Sequence, residues 1–190
     1  MDTNGLKGRI AEALVEGIFR RAGYQAAHVG RDRRSNGLAG AKDEALTPGM
    51  LVWKQAAGHA SLPPLHRLVA VEVRYRADIE RALPREMVRL SRAGADWRDL
   101  YFIFVTDRPA PGRACFQVVD PRHRPPECAW ATMDLHDLTD LDIYWRTIEE
   151  YASLVKLIFP VLSRKPAANA KARRRDPGPV RHLSPARAAR

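Results

Sequence analysis

Leu68-Val69-Ala70-Val71-Glu72-Val73-Arg74-Tyr75-Arg76 is the stretch from which the rest of the chain is read. As a strand it lines Val69, Val71, Val73 and Tyr75 along one face and Ala70, Glu72, Arg74 and Arg76 along the other, because side chains alternate. The first face is built for a core. The second sets a carboxylate and a guanidinium on one sheet surface with roughly 7 Å between their Cα atoms, which calls for a site or an ion pair.

Downstream, residues 77–93 carry Ile79, Leu83, Met87 and Leu90 at helical spacing, with Pro84 inside the pattern as a kink or a break. Residues 100–105, LYFIFV, are apolar without alternation, as expected of a strand covered on both faces at the centre of a sheet. A further strand is expected over 115–119. Residues 138–163 form the longest amphipathic pattern, with Leu141, Tyr144, Trp145, Ile148, Tyr151, Leu154, Val155 and Ile158 on the packed side and Pro160 as the stop.

Upstream, Pro48-Gly49 opens a strand over 50–54, and residues 24–29 read as a shorter one. A helix capped by Asp2, Thr3 or Asn4 is expected to run to Ala22 and stop at Gly23. Its apolar sector holds Ile10, Ala11, Leu14, Val15, Ile18, Phe19 and Ala22. Glu12 falls at the border of that sector, and Glu16 is set to pair with Arg20 one turn on.

No apolar run in the 190 residues approaches the ~18 a membrane span needs, and the start lacks the basic and apolar regions of a signal peptide. A cytoplasmic protein is the expectation, with Cys115 and Cys128 as free thiols. The net charge is +10, and its placement is uneven. Residues 164–190 hold nine Lys/Arg against Asp176 alone, so +8 of the charge lies there and residues 1–163 carry +2. Two regions follow: a folded α/β domain over 1–163 and a basic tail over 164–190, rich in Pro, Ala and Arg, with too little apolar material to fold.

The order helix, three strands, helix, two strands, helix argues for an α/β layer with a mixed sheet. Taken with Gly8-x-x-x-Glu12 on a helix, Pro48-Gly49-x-Leu51-Val52 opening a strand, and Val71-Glu72-Val73-Arg74-Tyr75-Arg76 before a helix, the chain resembles the PD-(D/E)XK nuclease superfamily. The resemblance covers roughly residues 5–107. It implies a restriction-endonuclease-like three-layer core, a central mixed β-sheet flanked by helices, here with an added C-terminal helix. It also implies Mg²⁺-dependent cleavage of nucleic-acid phosphodiesters, with Glu12 and Glu72 as the family's helix and strand acids.

Two departures decide the expected function. The family's metal-binding aspartate falls on Gly49 and its lysine on Arg74. Glycine offers no ligand to a hard cation, and a guanidinium stays protonated, so Arg74 is no base toward water and competes with a cation beside Glu72. Glu12, Glu72 and Arg74 are therefore read as a vestigial catalytic set, in a protein that binds nucleic acid, DNA or RNA, without cutting it. No cofactor is expected; were the site active, Mg²⁺ would bind at Glu72, with Asp43 or Glu44 as a replacement carboxylate and Lys54 as a replacement amine. A third reading is a scaffold or assembly subunit that uses the fold to bind a protein partner. Nucleic-acid contacts are expected from Arg76, from Arg31, Arg33 and Arg34, and from Lys171, Arg173, Arg174 and Arg175. The tail interleaves no aromatic residue, so it offers no base stacking. Cys115, His123, Cys128 and His136 lack the close ligand pairs of a structural zinc site.

Overall fold

The structure, a computed structural model, describes residues 3–29, 48–55, 66–93, 100–119 and 130–163. The chain opens with α1 (Thr3–Arg21), then β1 (Gln25–His28), β2 (Met50–Gln55) and β3 (His66–Tyr75), α2 (Ile79–Ala93), β4 (Leu100–Val105), β5 (Phe116–Val119), β6 (Met133–Asp134), two short 3₁₀ turns and α3 (Trp145–Ser163). The six strands form one sheet in chain order, β1-β2-β3-β4-β5-β6. All neighbours are antiparallel except β3 and β4, which run parallel because α2 carries the chain back between them. The result is an α/β protein whose mixed sheet is flanked by helices on both faces.

α1 ends as its sequence requires. Gly23 takes φ +86°, its N–H bonds the Arg20 carbonyl, and the Tyr24 N–H reaches back to the Phe19 carbonyl, both at 3.0 Å. The Tyr24 and Phe19 rings meet edge to face at 5.3 Å, the apolar contact that accompanies this kind of C-cap. α2 begins at an Asp78 cap, whose carboxylate accepts the Arg81 N–H at 3.0 Å. Pro84 stands within α2, exposed, so the helix continues past it and forgoes one bond four residues back.

The alternation in β3 divides the core. Val69, Val71, Val73 and Tyr75 join Ala11, Leu14, Val15, Ile18 and Phe19 of α1 and Val155 and Phe159 of α3. On the other face Ala70 joins Leu100, Phe102 and Phe104 of β4 under Ile79 and Met87 of α2. β4, buried along its whole length, is the central strand expected of LYFIFV.

The C-terminal helix differs from its periodicity. The first turns of the helix expected over 138–163 are replaced by a 3₁₀ turn at Thr139–Leu141, which follows another at Leu135–Asp137, and α3 covers the rest from Trp145 to Ser163. Asp142, at φ +46°, interrupts the helix and turns the chain. Leu141 is buried as expected, but Tyr144, Trp145 and Leu154 are exposed. Pro160 does not end α3, which runs on to Ser163. Strand β6 was not legible, since two residues are too short to show a period.

Candidate functional site

Glu72 lies midway along β3, opposite Phe102 of β4, on the face turned toward α2. Its side chain is only 7% exposed. Gly49 precedes β2 by one residue; Met50 pairs with Val71, so Gly49 comes level with Glu72. The Gly49 N–H donates to Glu72 Oε2 at 2.7 Å, and its carbonyl accepts from the Val29 N–H at 3.1 Å. Arg74, two residues along the same face, places Nη2 2.7 Å from Glu72 Oε1. Both carboxylate oxygens are thus held by protein donors. Arg74 Nε is buried and has no hydrogen-bond acceptor among the described residues, which is uncommon for a buried donor.

The three residues singled out on the sheet therefore meet, and they form a closed ion pair with a backbone anchor. A Cβ built on Gly49 would lie 3.2 Å from Glu72 Oε2, so a side chain at this position would stand directly beside the carboxylate. Glu12 belongs to another layer: α1 packs on the Val69/Val71/Val73/Tyr75 face, and Glu72 points to the opposite one. Gly8, the small residue of the helix motif, has nothing within 4 Å of a built Cβ, so no close approach demands it.

Other expected residues are committed elsewhere. Arg76 Nε donates to Glu86 of α2 at 3.1 Å, its Nη2 also contacts Glu86, and Nη1 donates to the Tyr75 carbonyl at 2.7 Å. Its guanidinium is turned to the protein rather than outward. Lys54 projects on the α1 side of β2 and pairs with Asp142 at 2.8 Å, so it is not the replacement amine beside Glu72. Arg31, Arg33, Arg34, Asp43, Glu44, Lys171, Arg173, Arg174, Arg175, His123 and Cys128 lie outside the described residues. Cys115 is a free, buried thiol, and burial pushes its pKa up. His136 instead lies with Asp134 and Asp137, ligand atoms within 4.8 Å of one another. Asp134 is already bonded to Arg113 Nε at 3.1 Å, and the other two are exposed. Among the described residues the side chains close enough to share one ion do not include Glu72.

Sequence reasoning missed a buried ionic cluster at the C-terminal end of the parallel strand pair. Lys7 of α1 donates to the Tyr75 hydroxyl at 2.9 Å and to Asp107 Oδ2 at 3.0 Å, and the Tyr75 hydroxyl donates to Asp107 Oδ1 at 2.8 Å. The Lys7 and Asp107 side chains are 4% and 3% exposed. The Lys7 ammonium also lies over the Tyr75 and Phe159 rings, 4.7 and 5.5 Å from their centroids. Burial alone would raise the Asp107 carboxyl, but hydrogen bonds from Tyr75 and Lys7 and the Lys7 charge outweigh it and hold it below the ordinary range. Burial chiefly raises Tyr75. The signal was weak because the three residues are 68 and 32 positions apart in the chain, and a lysine on an amphipathic helix normally points to water.

Comparison with protein-family models, with curated proteins and with solved structures finds no match to this chain. No helix among the described residues is long and apolar enough to cross a membrane.

Proposed function

We propose that this chain is a nuclease-like domain of the restriction-endonuclease type that no longer holds a catalytic cation and binds nucleic acid without cutting it. The mixed sheet flanked by helices accords with that fold, and the motif residues Gly49, Glu72 and Arg74 come together on it. The observation that carries the reading is the state of Glu72: one oxygen accepts the Gly49 N–H and the other the Arg74 guanidinium. A hard divalent ion needs several oxygen ligands, and a permanent positive charge beside the carboxylate competes with it. Here the cation's place beside the carboxylate is taken by Arg74.

The test is a double reversion, Gly49→Asp with Arg74→Lys. It sets a second carboxylate beside Glu72 and returns an amine that can lose its proton. Expected are Mg²⁺- or Mn²⁺-dependent binding and weak cleavage of plasmid or single-stranded DNA, absent from the parent. Turnover by the parent protein that disappears in Glu72→Ala would overturn the proposal and favour a divergent endonuclease. A second reading, a scaffold for a protein partner, draws on α3, where Leu154, Leu157 and Val161 follow one another on its exposed side. Light scattering of the parent and of Leu157→Glu tests it, since self-association that the substitution abolishes would support that reading.

A further inference from the structure

The large aromatic side chains of the described residues are almost all interior: Phe19, Tyr24, Tyr75, Tyr101, Phe102, Phe104, Phe116 and Phe159 are buried. Trp53, Trp130 and Tyr151 are half-buried, and Tyr144 and Trp145 are the exposed pair, 57% and 48% exposed and adjacent in the chain. Their ring centroids lie 6.1 Å apart with an interplanar angle of 56°. The next residue, Arg146, is exposed and sets its guanidinium carbon 6.0 and 5.4 Å from the two ring centroids. Among the described residues no hydrogen bond or ion pair occupies the Tyr144 hydroxyl, the Trp145 indole N–H or the Arg146 guanidinium. The exposed parts of both rings and the donors of three consecutive side chains are thus open to a ligand.

The backbone beneath them is anchored. Asp142, in the left-handed region at φ +46°, is tied to Lys54 at 2.8 Å, and the Tyr24 hydroxyl donates to the Leu141 carbonyl at 2.7 Å. Of the neighbouring acids, Asp142 is paired with Lys54 and Glu150 with Arg21, whereas Glu149 is exposed one turn on from Arg146 and adds negative charge there. A turn that fixes two rings and a stacked cation at the surface suits a ligand combining flat π-faces with negative charge. A single nucleic-acid strand has both, whereas the bases of a duplex present only their edges.

We infer that Tyr144, Trp145 and Arg146 form a stacking platform for unpaired nucleic acid, the rings taking bases and the guanidinium a phosphate. The inference rests on the nucleic-acid reading above and assigns it to a surface on the opposite side of β2 from Glu72. It supplies the base stacking that the basic tail lacks.

The test is fluorescence anisotropy of the full-length protein with labelled oligothymidine and oligouridine, and with a duplex of the same length as control. Trp145→Ala should weaken single-strand binding about 5- to 150-fold, the loss expected for one stacked base, with duplex binding unchanged. Trp145→Phe should restore most of it. Arg146→Ala should weaken binding and lower its salt slope by about 0.7. Equal single-strand affinities for the parent and Trp145→Ala overturn the platform while leaving the nucleic-acid reading intact. A parent that binds neither strand nor duplex overturns both. Self-association of the parent that Trp145→Ala abolishes, with oligonucleotide affinity unchanged, would assign the rings to a second copy of the chain and overturn the inference.

Discussion

At the scale of single residues, the molecule turns on two carboxylates that are both satisfied in full. Glu72 closes on Gly49 and Arg74; Asp107 closes on Tyr75 and Lys7. Glu72→Ala leaves two donors without their acceptor and should lower unfolding stability by about 1.5–3 kcal/mol, read by urea denaturation, with Glu72→Gln losing less. Asp107→Asn strands a buried ammonium and should lose more, about 3–5 kcal/mol. Its pH dependence has a definite sign. A carboxyl held below about 3.9 in the folded state stabilises fully above that pH and loses its contribution as pH falls through the folded value. The variant should therefore show a shallower loss of stability than the parent as the pH falls below about 4. Some slope should remain, because Glu16 is likewise depressed: burial opposes this, but hydrogen bonds from His28 and Arg20 prevail. An unchanged acid slope would mean that Asp107 is not ionised in the folded protein.

At the scale of elements, most of the order was legible because each helix and strand repeats its own period. α1, β3 and β4 followed from alternation, apolar spacing and a glycine stop. What failed did so locally. Tyr144 and Trp145 fit the apolar stripe of a helix over 138–163, but the left-handed turn at Asp142 rotates them out of phase with the core, and nothing in an apolar pattern announces such a turn at an aspartate. The α1–α3 contact was equally silent. A Cβ on Gly17 would meet the Tyr151 hydroxyl at 2.5 Å and two of its ring carbons at 2.7 and 2.9 Å, so the two helices approach where one has no side chain. Gly17→Leu should force the ring aside and lower stability by about 1–3 kcal/mol. Thermal unfolding measures this, and a melting temperature equal to the parent's would show that the interface has slack.

For the whole molecule, the sheet half of the candidate site was legible in short motifs and the helix half was not. Glu72 and Arg74 lie on β3 and Gly49 leads into β2, its neighbour in both chain and sheet, whereas the layer occupied by Glu12 depends on which face α1 covers. That choice is made by long-range packing of Val71, Val73 and Tyr75. The charge distribution makes a separate prediction. If Lys171, Arg173, Arg174 and Arg175 contact phosphates, replacing all four by Gln should flatten the dependence of log affinity on log salt by about 3–4 for duplex DNA. An unchanged slope would assign the counterion release to the folded part.

Because each strand sits beside its sequence neighbour, the sheet can assemble progressively during synthesis, yet one side of it waits for the last helix. Until Phe159 and Val155 of α3 arrive, α1 and the valine face of β3 lack part of their cover. A chain stopped at Tyr144 should accordingly bind a fluorescent apolar dye and precipitate where the full chain does not. The ribosome would then release a nascent chain whose apolar face stays open to other chains until its final quarter is made.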